Sequence, residues 1–576
     1  MNKRFIAQSC ISAASVLGLF GLSNPGRAQT QMIPSDVLPP QDIVPPQAEP
    51  QPELPPLQEL PPAEELLESP PNGVSQPPLQ TDGNTFEIER FEFINNTAFD
   101  DERLRQETDE FIGEDKTFAD VAAARSAVTQ LYLNEGYVTS DAIVPPQQVV
   151  DGVVEIQIVE GSLSEIVVNG THRLNPGYVS SRIALGAAAP LDVDRLVDRL
   201  QLLQRDPLIR TISADLQATP QPGTNRLVVD VVEANSFGVT YTLDNNRSPS
   251  VGTLRNQVRI TEANLTGLGD SLSLGYTLTS GSDGFDIDYT VPISPHDGTF
   301  KLAVNLSDNE VVEEPFDVLE IDSDSDYYEL TLRHPLGQTP TEEFALGLTA
   351  SHQRSQTSLG IDDIGPTRLS PGADDEGRTR VSALRFFQEW TQRSPEHVLA
   401  VRSQFNVGLD FLGATVNDDA PDSRFFSWQG QAQWVRAIGP DALLLLRGST
   451  QLSADPLLSL EQLNLGGQST VRGYRQNLLS TDNGVLGTVE VRLPLWRDRA
   501  EDRLLQITPF LDAGYGWNVE GENPDPLVGV GLGLLFQQRD LTARFDWGIP
   551  LIDSDTGERD SLQENGLYFT LQYSFF

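Results

Sequence analysis

Beyond Phe237 apolar and polar residues alternate with a period of two. Leu272, Leu274, Tyr276 and Leu278 sit between Ser271, Ser273, Gly275 and Thr277; Phe285, Ile287, Tyr289, Val291 and Ile293 alternate with Asp286, Asp288 and Thr290. Val528, Val530, Leu532, Leu534 and Phe536 interleave with Gly529, Gly531 and Gly533, and Leu541, Ala543, Phe545 and Trp547 flank Thr542, Arg544 and Asp546. Successive side chains of a strand point to opposite faces, so each segment has one apolar and one polar face. A soluble sandwich shows the same alternation; connection length separates the two. Short links fall at 266–269, 294–298, 337–341, 393–396 and 438–441, and long ones at 307–323, 355–379, 412–422 and 454–484. Short turns on one side, long loops on the other and about sixteen strands, an even number, predict a transmembrane antiparallel β-barrel over residues 236–576. The last segment is the strongest single clue. Leu567, Phe569, Leu571, Tyr573 and Phe575 face one way, opposite Thr570, Gln572 and Ser574, and the segment ends at Phe576. Phe569, Leu571, Tyr573, Phe575 and Phe576 read as the strand that closes the ring, with aromatics at the bilayer interface.

Upstream the period changes. Phe86, Ile88, Phe91 and Phe93 mark a first strand. Val121, Ala124, Val128, Leu131 and Tyr132 recur at helical spacing up to Gly136, and Val154, Ile156 and Ile158 alternate as a strand. The predicted order over 85–161 is strand, helix, helix, strand, strand. Residues 162–235 repeat it, with Leu163, Ile166 and Val168 opening. Helices follow over 176–185 and around Val193, Leu196, Val197, Leu200 and Leu203, then strands over 209–216 and 227–232. Two successive units with one element order form a tandem α+β repeat, each large enough for a small core.

The N-terminus reads as export machinery. Lys3 and Arg4, an apolar run to Leu22 and the small residues before Ala28 form a secretory signal peptide over 1–28, too short and diluted for a spanning helix. Residues 29–84 carry six proline pairs with Gln and Glu between them and no Lys or Arg, an extended linker with a short helical turn expected at 63–68. Its plainest role is a spacer; the other reading is a plug or docking element.

Charge and composition then exclude function classes. A formal charge of −44 argues against nucleic-acid binding, which needs a basic face. The single cysteine, Cys10, lies in the signal peptide, so no disulfide or thiolate metal site is expected. No run of 18 apolar residues follows residue 28. His172, His296, His334, His352 and His397 are scattered without metal-ligand spacing, and Gly467-Gln468-Ser469-Thr470-Val471 lacks the second glycine of a nucleophile elbow. No catalytic residue, metal or cofactor is expected.

One loop is patterned unlike the others. Residues 462–475 are glycine-rich and contain Val471-Arg472-Gly473-Tyr474; two strands later come Phe510-Leu511-Asp512-Ala513-Gly514. Strand alternation turns Asp512 inward, so an arginine on an inward-folded loop and this aspartate would form a partly buried ion pair. The plain alternative is an ordinary extracellular loop. Val471, Arg472, Gly473 and Tyr474 with Phe510, Asp512 and Gly514 resemble the sixth-loop motif and its wall partner in the outer-membrane insertase and translocase superfamily. Gly136-Tyr137-Val138-Thr139-Ser140, Pro145-Pro146-Gln147, Gly152 and Val159-Glu160-Gly161 are similar to the first POTRA domain of two-partner-secretion transporters. Asp206-Pro207-Leu208-Ile209 and the Leu268-Gly269-Asp270 turn fit as well. The long proline-rich N-terminus departs from the family pattern.

The resemblance to this haemolysin secretion/activation (TpsB) type implies two periplasmic POTRA domains that recognise an unfolded exoprotein carrying an N-terminal secretion domain. The client would pass through the barrel. The resemblance also implies client recognition at Tyr137, Val138, Thr139 and Ser140, contact with outer-membrane lipids, and the barrel-assembly machinery as partner during biogenesis. Two readings from other classes stand beside it: an insertase for other barrels, disfavoured by two periplasmic domains rather than five, and a passive porin, disfavoured by the tandem domains.

Overall fold

The computed structural model describes residues 67–68, 85–361, 364–521, 523–554 and 561–575. The expected signal peptide, most of the linker and Phe576 lie outside the described residues. No described helix is long and apolar enough to cross a membrane; strands do so instead.

From Phe237 onward sixteen antiparallel strands among the described residues form a closed barrel. Phe237–Asp244 pairs with Leu567–Phe575, from Val239 opposite Phe575 to Asp244 opposite Thr570, so the sheet has no free edge. Closure is what a bilayer demands, because hydrocarbon offers no partner to an unpaired peptide group. The outer face is apolar: Phe300, Leu332, Leu348, Phe386 and Phe405 lie side by side across five strands, each 37–46 % exposed. A continuous apolar band of that kind belongs against lipid. One rim has the short turns expected, such as 394–396 and 440–441; the other has long loops, the longest at 454–482. One long-rim connection, 279–281, is short. Several loops are shorter than the alternation suggests: 307–323 contracts to 311–320 and 355–379 to 360–377. Ile321–Gln338 and Glu342–Leu359 run 18 residues each, well past the 9–11 that span a bilayer. Above the membrane their inward and outward residues are both polar, so alternation fades where pairing continues.

The part preceding the barrel consists of two α+β units. In the first, Arg90–Ile94 runs parallel to Val153–Val159, which pairs antiparallel with Asp141–Ile143. Helices α1 (Asp101–Thr108) and α2 (Phe118–Asn134) cover this sheet. Asp100 caps α1, and Thr117 with Asp120 forms a capping box on α2. The buried face of α2 is Val121, Ala124, Val128, Leu131 and Tyr132, the positions read at helical spacing. The predicted order needs one correction: Gly113–Lys116 is a further strand between the helices, paired with Phe86–Ile88. Gly-Glu-Asp-Lys has no apolar alternation to announce it.

The second unit repeats the topology. Ser162–Asn169 is parallel to Thr224–Glu233, which is antiparallel to Ile209–Ala218; α3 (Pro176–Ala184) and α4 (Val193–Gln204) pack over them. The outer edge of Ile209–Ala218 carries Leu67–Glu68 in parallel register, Leu67 opposite Ala214. The helical turn expected at 63–68 is therefore wrong for its last two residues. An extended, proline-flanked segment satisfies an open sheet edge, whereas a single isolated turn satisfies little.

This second unit sits on the short turns of the barrel. Tyr178 of α3 donates to Asp206 at 2.6 Å, and its ring packs on the 263–270 turn where a Cβ on Gly269 would fall 2.3 Å from Cε2. Arg182 stacks on the same ring at 3.5 Å and pairs with Asp297 of the next turn at 2.8 Å. Gln338, the last residue of the strand before a third turn, also reaches Asp297, and Arg205 donates to the Pro340 carbonyl in that turn. Burial pushes the Tyr178 hydroxyl and the Asp206 carboxyl up from their ordinary values. The two sequence signatures at 206–209 and 268–270 thus meet on one tyrosine.

Glu160 holds the first unit's loop 95–100. It accepts from Thr97 N (2.6 Å), Ala98 N (2.8 Å), the Tyr132 hydroxyl (2.9 Å) and the Thr97 hydroxyl. Burial alone would raise its carboxyl; these hydrogen bonds outweigh it and hold it below the ordinary value. A depressed carboxyl contributes stability that is complete above its unfolded pKa of about 4.3 and is lost as pH falls through the lower folded value. Glu160→Gln should therefore cost about 2 kcal/mol at neutral pH and flatten the acid dependence. Amide-exchange protection of α2 in the full chain measures this; equal acid sensitivity in both proteins contradicts it.

Candidate functional site

The 454–482 connection folds inward rather than outward. A short ladder, Leu463–Leu465 with Leu479–Thr481, forms its neck. Leu465, Val471, Tyr474, Leu478 and Leu527 make a small apolar cluster that seats its tip. Val471 is fully buried, and Arg472 and Tyr474 are each 3 % exposed, deep in the lumen.

Arg472 meets Asp512 in a bidentate pair, Nε to Oδ2 at 2.7 Å and Nη2 to Oδ1 at 3.0 Å, and its backbone N–H donates to the same carboxylate at 3.1 Å. Its guanidinium lies flat on Phe510, 3.4 Å from the ring centroid. Its remaining nitrogen donates to Glu490 at 2.8 Å. Glu490 is shared with Arg544 (2.6 Å) and Arg492 (3.1 Å), and Arg544 also holds Asp546 at 2.6 Å. Three guanidinium groups and three carboxylates thus interlock, neutral as a set. Charges this buried are tolerated only when paired and hydrogen-bonded.

Small residues let the loop come this close. A Cβ on Gly529 would fall 1.8 Å from the Arg472 carbonyl, and one on Gly548 2.5 Å from Gly473 N. A Cβ on Gly514 would fall 2.9 Å from Val471 Cγ2. Gly473 itself has φ +107°, a conformation that glycine adopts without strain. Tyr568, fully buried on the last strand, accepts from Gly473 N at 2.9 Å and donates to the Tyr474 carbonyl at 2.6 Å. Tyr474 reaches the Ile552 carbonyl at 2.8 Å. Arg475 turns toward the long-loop rim and pairs with Glu313 at 2.7 Å and Glu564 at 3.4 Å.

The structure therefore brings Val471, Arg472, Gly473 and Tyr474 together with Phe510, Asp512 and Gly514. Sequence reasoning missed Glu490, Arg492, Arg544, Asp546 and Tyr568. Alternation puts Arg544 and Asp546 on the inward face, but nothing along the chain says that strands 483–498 and 541–550 bring them to one arginine. Phe569, Leu571, Tyr573 and Phe575 lie on the outward face of the closing strand, with Leu571, Tyr573 and Phe575 exposed.

Tyr137, Val138, Thr139 and Ser140 sit at the junction of the two periplasmic units. Ser140 Oγ accepts from Gly161 N at 2.9 Å, and a Cβ on Gly161 would strike Thr139. Gly136 O accepts from Val193 N, and Leu191 N donates to Gly161 O at 2.8 Å. Tyr137 packs edge-on against Phe99 and Tyr132. The segment joins the units and launches the edge strand Asp141–Ile143.

Arg472→Ala leaves Asp512 and Glu490 buried with too few partners, a loss of about 3–5 kcal/mol. The loop should leave its seat, with faster amide exchange over 466–476 and a larger single-channel conductance, while the barrel stays heat-modifiable on gels. Unchanged exchange and conductance contradict the assignment.

Residues 223–536 match the haemolysin secretion/activation protein ShlB/FhaC/HecB family, and residues 86–161 match the ShlB-type POTRA domain. The outer membrane transporter CdiB of Escherichia coli O6:K15:H31 (strain 536 / UPEC) is 23 % identical over 496 residues, covering 82 % of this chain and 80 % of that protein. The heme/hemopexin transporter protein HuxB of Haemophilus influenzae (strain 86-028NP) is 22 % identical over 466 residues, covering 77 % and 79 %. Among solved structures, CdiB from Escherichia coli superposes with a TM-score of 0.68 at 19 % identity, covering 87 % of this chain and 93 % of that one. BamA from Haemophilus ducreyi lacking POTRA domains 1–3 gives 0.51 at 13 % identity, covering 85 % and 100 %, a likeness of fold alone. A match over more than half its length places this chain in the haemolysin secretion/activation family, as an outer-membrane β-barrel transporter of two-partner secretion with periplasmic POTRA domains.

Proposed function

We propose that this transporter takes one unfolded exoprotein from the periplasm, passes it through the barrel and releases it outside to fold. The observation that carries the reading is a closed barrel whose lumen is occupied by a salt-locked loop, with two sheet-bearing domains anchored beneath it. Unpaired strand edges offer main-chain hydrogen bonds to an extended client, and the side-chain positions that alternate along them add selectivity. Among the described residues, the three-stranded sheet of the first domain has two such edges: Arg90–Ile94, and Asp141–Ile143, which Tyr137, Val138, Thr139 and Ser140 position. Docking of α3 on the barrel turns through Tyr178 and Arg182 keeps the captured segment near the pore. Arg472 and its carboxylates hold the loop in one conducting geometry. During biogenesis the barrel-assembly machinery inserts the barrel, and the exposed Leu571, Tyr573 and Phe575 of the closing strand face lipid afterwards.

A second reading is an insertase for other barrels; the BamA-like fold is compatible with it, and two periplasmic domains favour secretion. Co-expression with a candidate exoprotein should deliver that protein to the medium only when this chain is present, with levels of unrelated outer-membrane barrels unchanged. A photo-crosslinker at the exposed Glu92 should capture the client in transit. Export without the chain, or broad loss of other barrels on its deletion, sinks the secretion reading; no crosslink at Glu92 sinks the edge.

A further inference from the structure

Between the inward loop and the barrel wall lies a cavity of about 950 Å³. In a chain with formal charge −44, its lining carries eight basic side chains against five carboxylates. Seven of the eight are held by the protein itself, as Arg259 is by Asp286 (2.8 Å), Lys301 by Asp288 (2.8 Å) and Arg385 by Glu461 (2.6 Å). Arg447 differs. Among the described residues it has no carboxylate at ion-pair distance and no acceptor for its guanidinium.

Its neighbour has the same deficit. Gln433 lies directly opposite Arg447 on the adjoining strand, and Thr488 flanks it on the other side. Gln433 is 3 % exposed and lines the cavity, and its Nε2 has no hydrogen-bond acceptor. A buried amide nitrogen without an acceptor is costly, and native interiors rarely keep one without a reason. Two donor groups side by side on adjoining strands, Gln433 on Phe426–Gly439 and Arg447 midway along Ala442–Ser453, one cationic and neither satisfied, line the cavity. The group that satisfies both is anionic, planar and two-oxygened, and a guanidinium grips such a group bidentately.

We propose that Arg447 and Gln433 form a carboxylate-binding subsite that engages Asp or Glu side chains of an extended polypeptide inside the pore. Two polypeptides bring this chemistry. One is the transported client, which rests on the secretion reading above. The other is the chain's own segment 29–84, with nine Asp and Glu residues and no Lys or Arg. Inside walls of low dielectric an unpaired cation acts more strongly on an anion than it does in bulk water.

The full chain in planar bilayers tests this with hexaglutamate as the probe and hexalysine as its control. Hexaglutamate should interrupt the current. R447Q should raise the half-blocking concentration at least about tenfold, Q433A several-fold, and R447K should fall between wild type and R447Q. Heat-modifiable migration verifies that each variant is folded, and R447K retains the charge should R447Q fail to insert. Equal half-blocking concentrations in wild type, R447Q and R447K overturn the subsite, as does equal block by hexalysine. Amide replacement of the nine carboxylates in 29–84 distinguishes the sources. If that segment is the natural occupant, resting current rises both in this variant and in R447Q. If the client is, resting current is the same in all, and R447Q alone slows secretion. Normal secretion with unchanged block overturns the subsite and leaves the secretion reading intact.

Discussion

Peptide groups that enter a bilayer as strands need partners on both sides, and only a ring supplies them. Pairing Phe237–Asp244 with Leu567–Phe575 closes that ring at sixteen strands. Closure at this size leaves a lumen too wide for wall side chains alone to fill. What occupies it follows from the ring: a loop from the long-loop rim, held by charges that can be buried only together. Arg472 reaches Asp512 and Glu490 because Phe510, Asp512 and Glu490 share the inward face of adjacent strands. Gly529 and Gly548 leave the backbone room that the loop's own backbone needs.

The same constraint explains the underside. Short turns cannot wander, so they form a fixed platform, and α3 with its tyrosine and arginine docks there. Tyr178 touches Asp206 within its own domain and the turn around Gly269 in the barrel. A bulkier residue at 269 displaces the ring, and with it the Arg182 contact to Asp297. The second α+β unit and the barrel turns are thereby joined by direct contacts.

Much of this was legible along the chain because it rests on period. The two-residue alternation marks the barrel, and the helical spacing of Val121, Ala124, Val128, Leu131 and Tyr132 names the buried face of α2 without error. The motif around Arg472 and the wall position of Asp512 were legible as a pair. What stayed hidden depends on proximity across strands. Glu490, Arg492, Arg544 and Asp546 look like any inward polar residues until the sheet brings them within 3.1 Å of one another's charges. Gly113–Lys116 carries no apolar signal, and Leu67–Glu68 is a strand paired across sequence to the edge of Ile209–Ala218. The unsatisfied donors Arg447 and Gln433 are invisible in sequence, since a missing partner has no pattern.

The geometry of the bidentate pair requires Arg472 and Asp512 to hold the lumen loop as one unit. A double-mutant cycle measures this, with Arg472→Ala, Asp512→Ala and their combination read out by amide exchange of residues 466–476 in the folded barrel. Strong non-additivity is expected, a coupling of about 2 kcal/mol or more. Independent, additive effects, with coupling below about 0.5 kcal/mol, would contradict it.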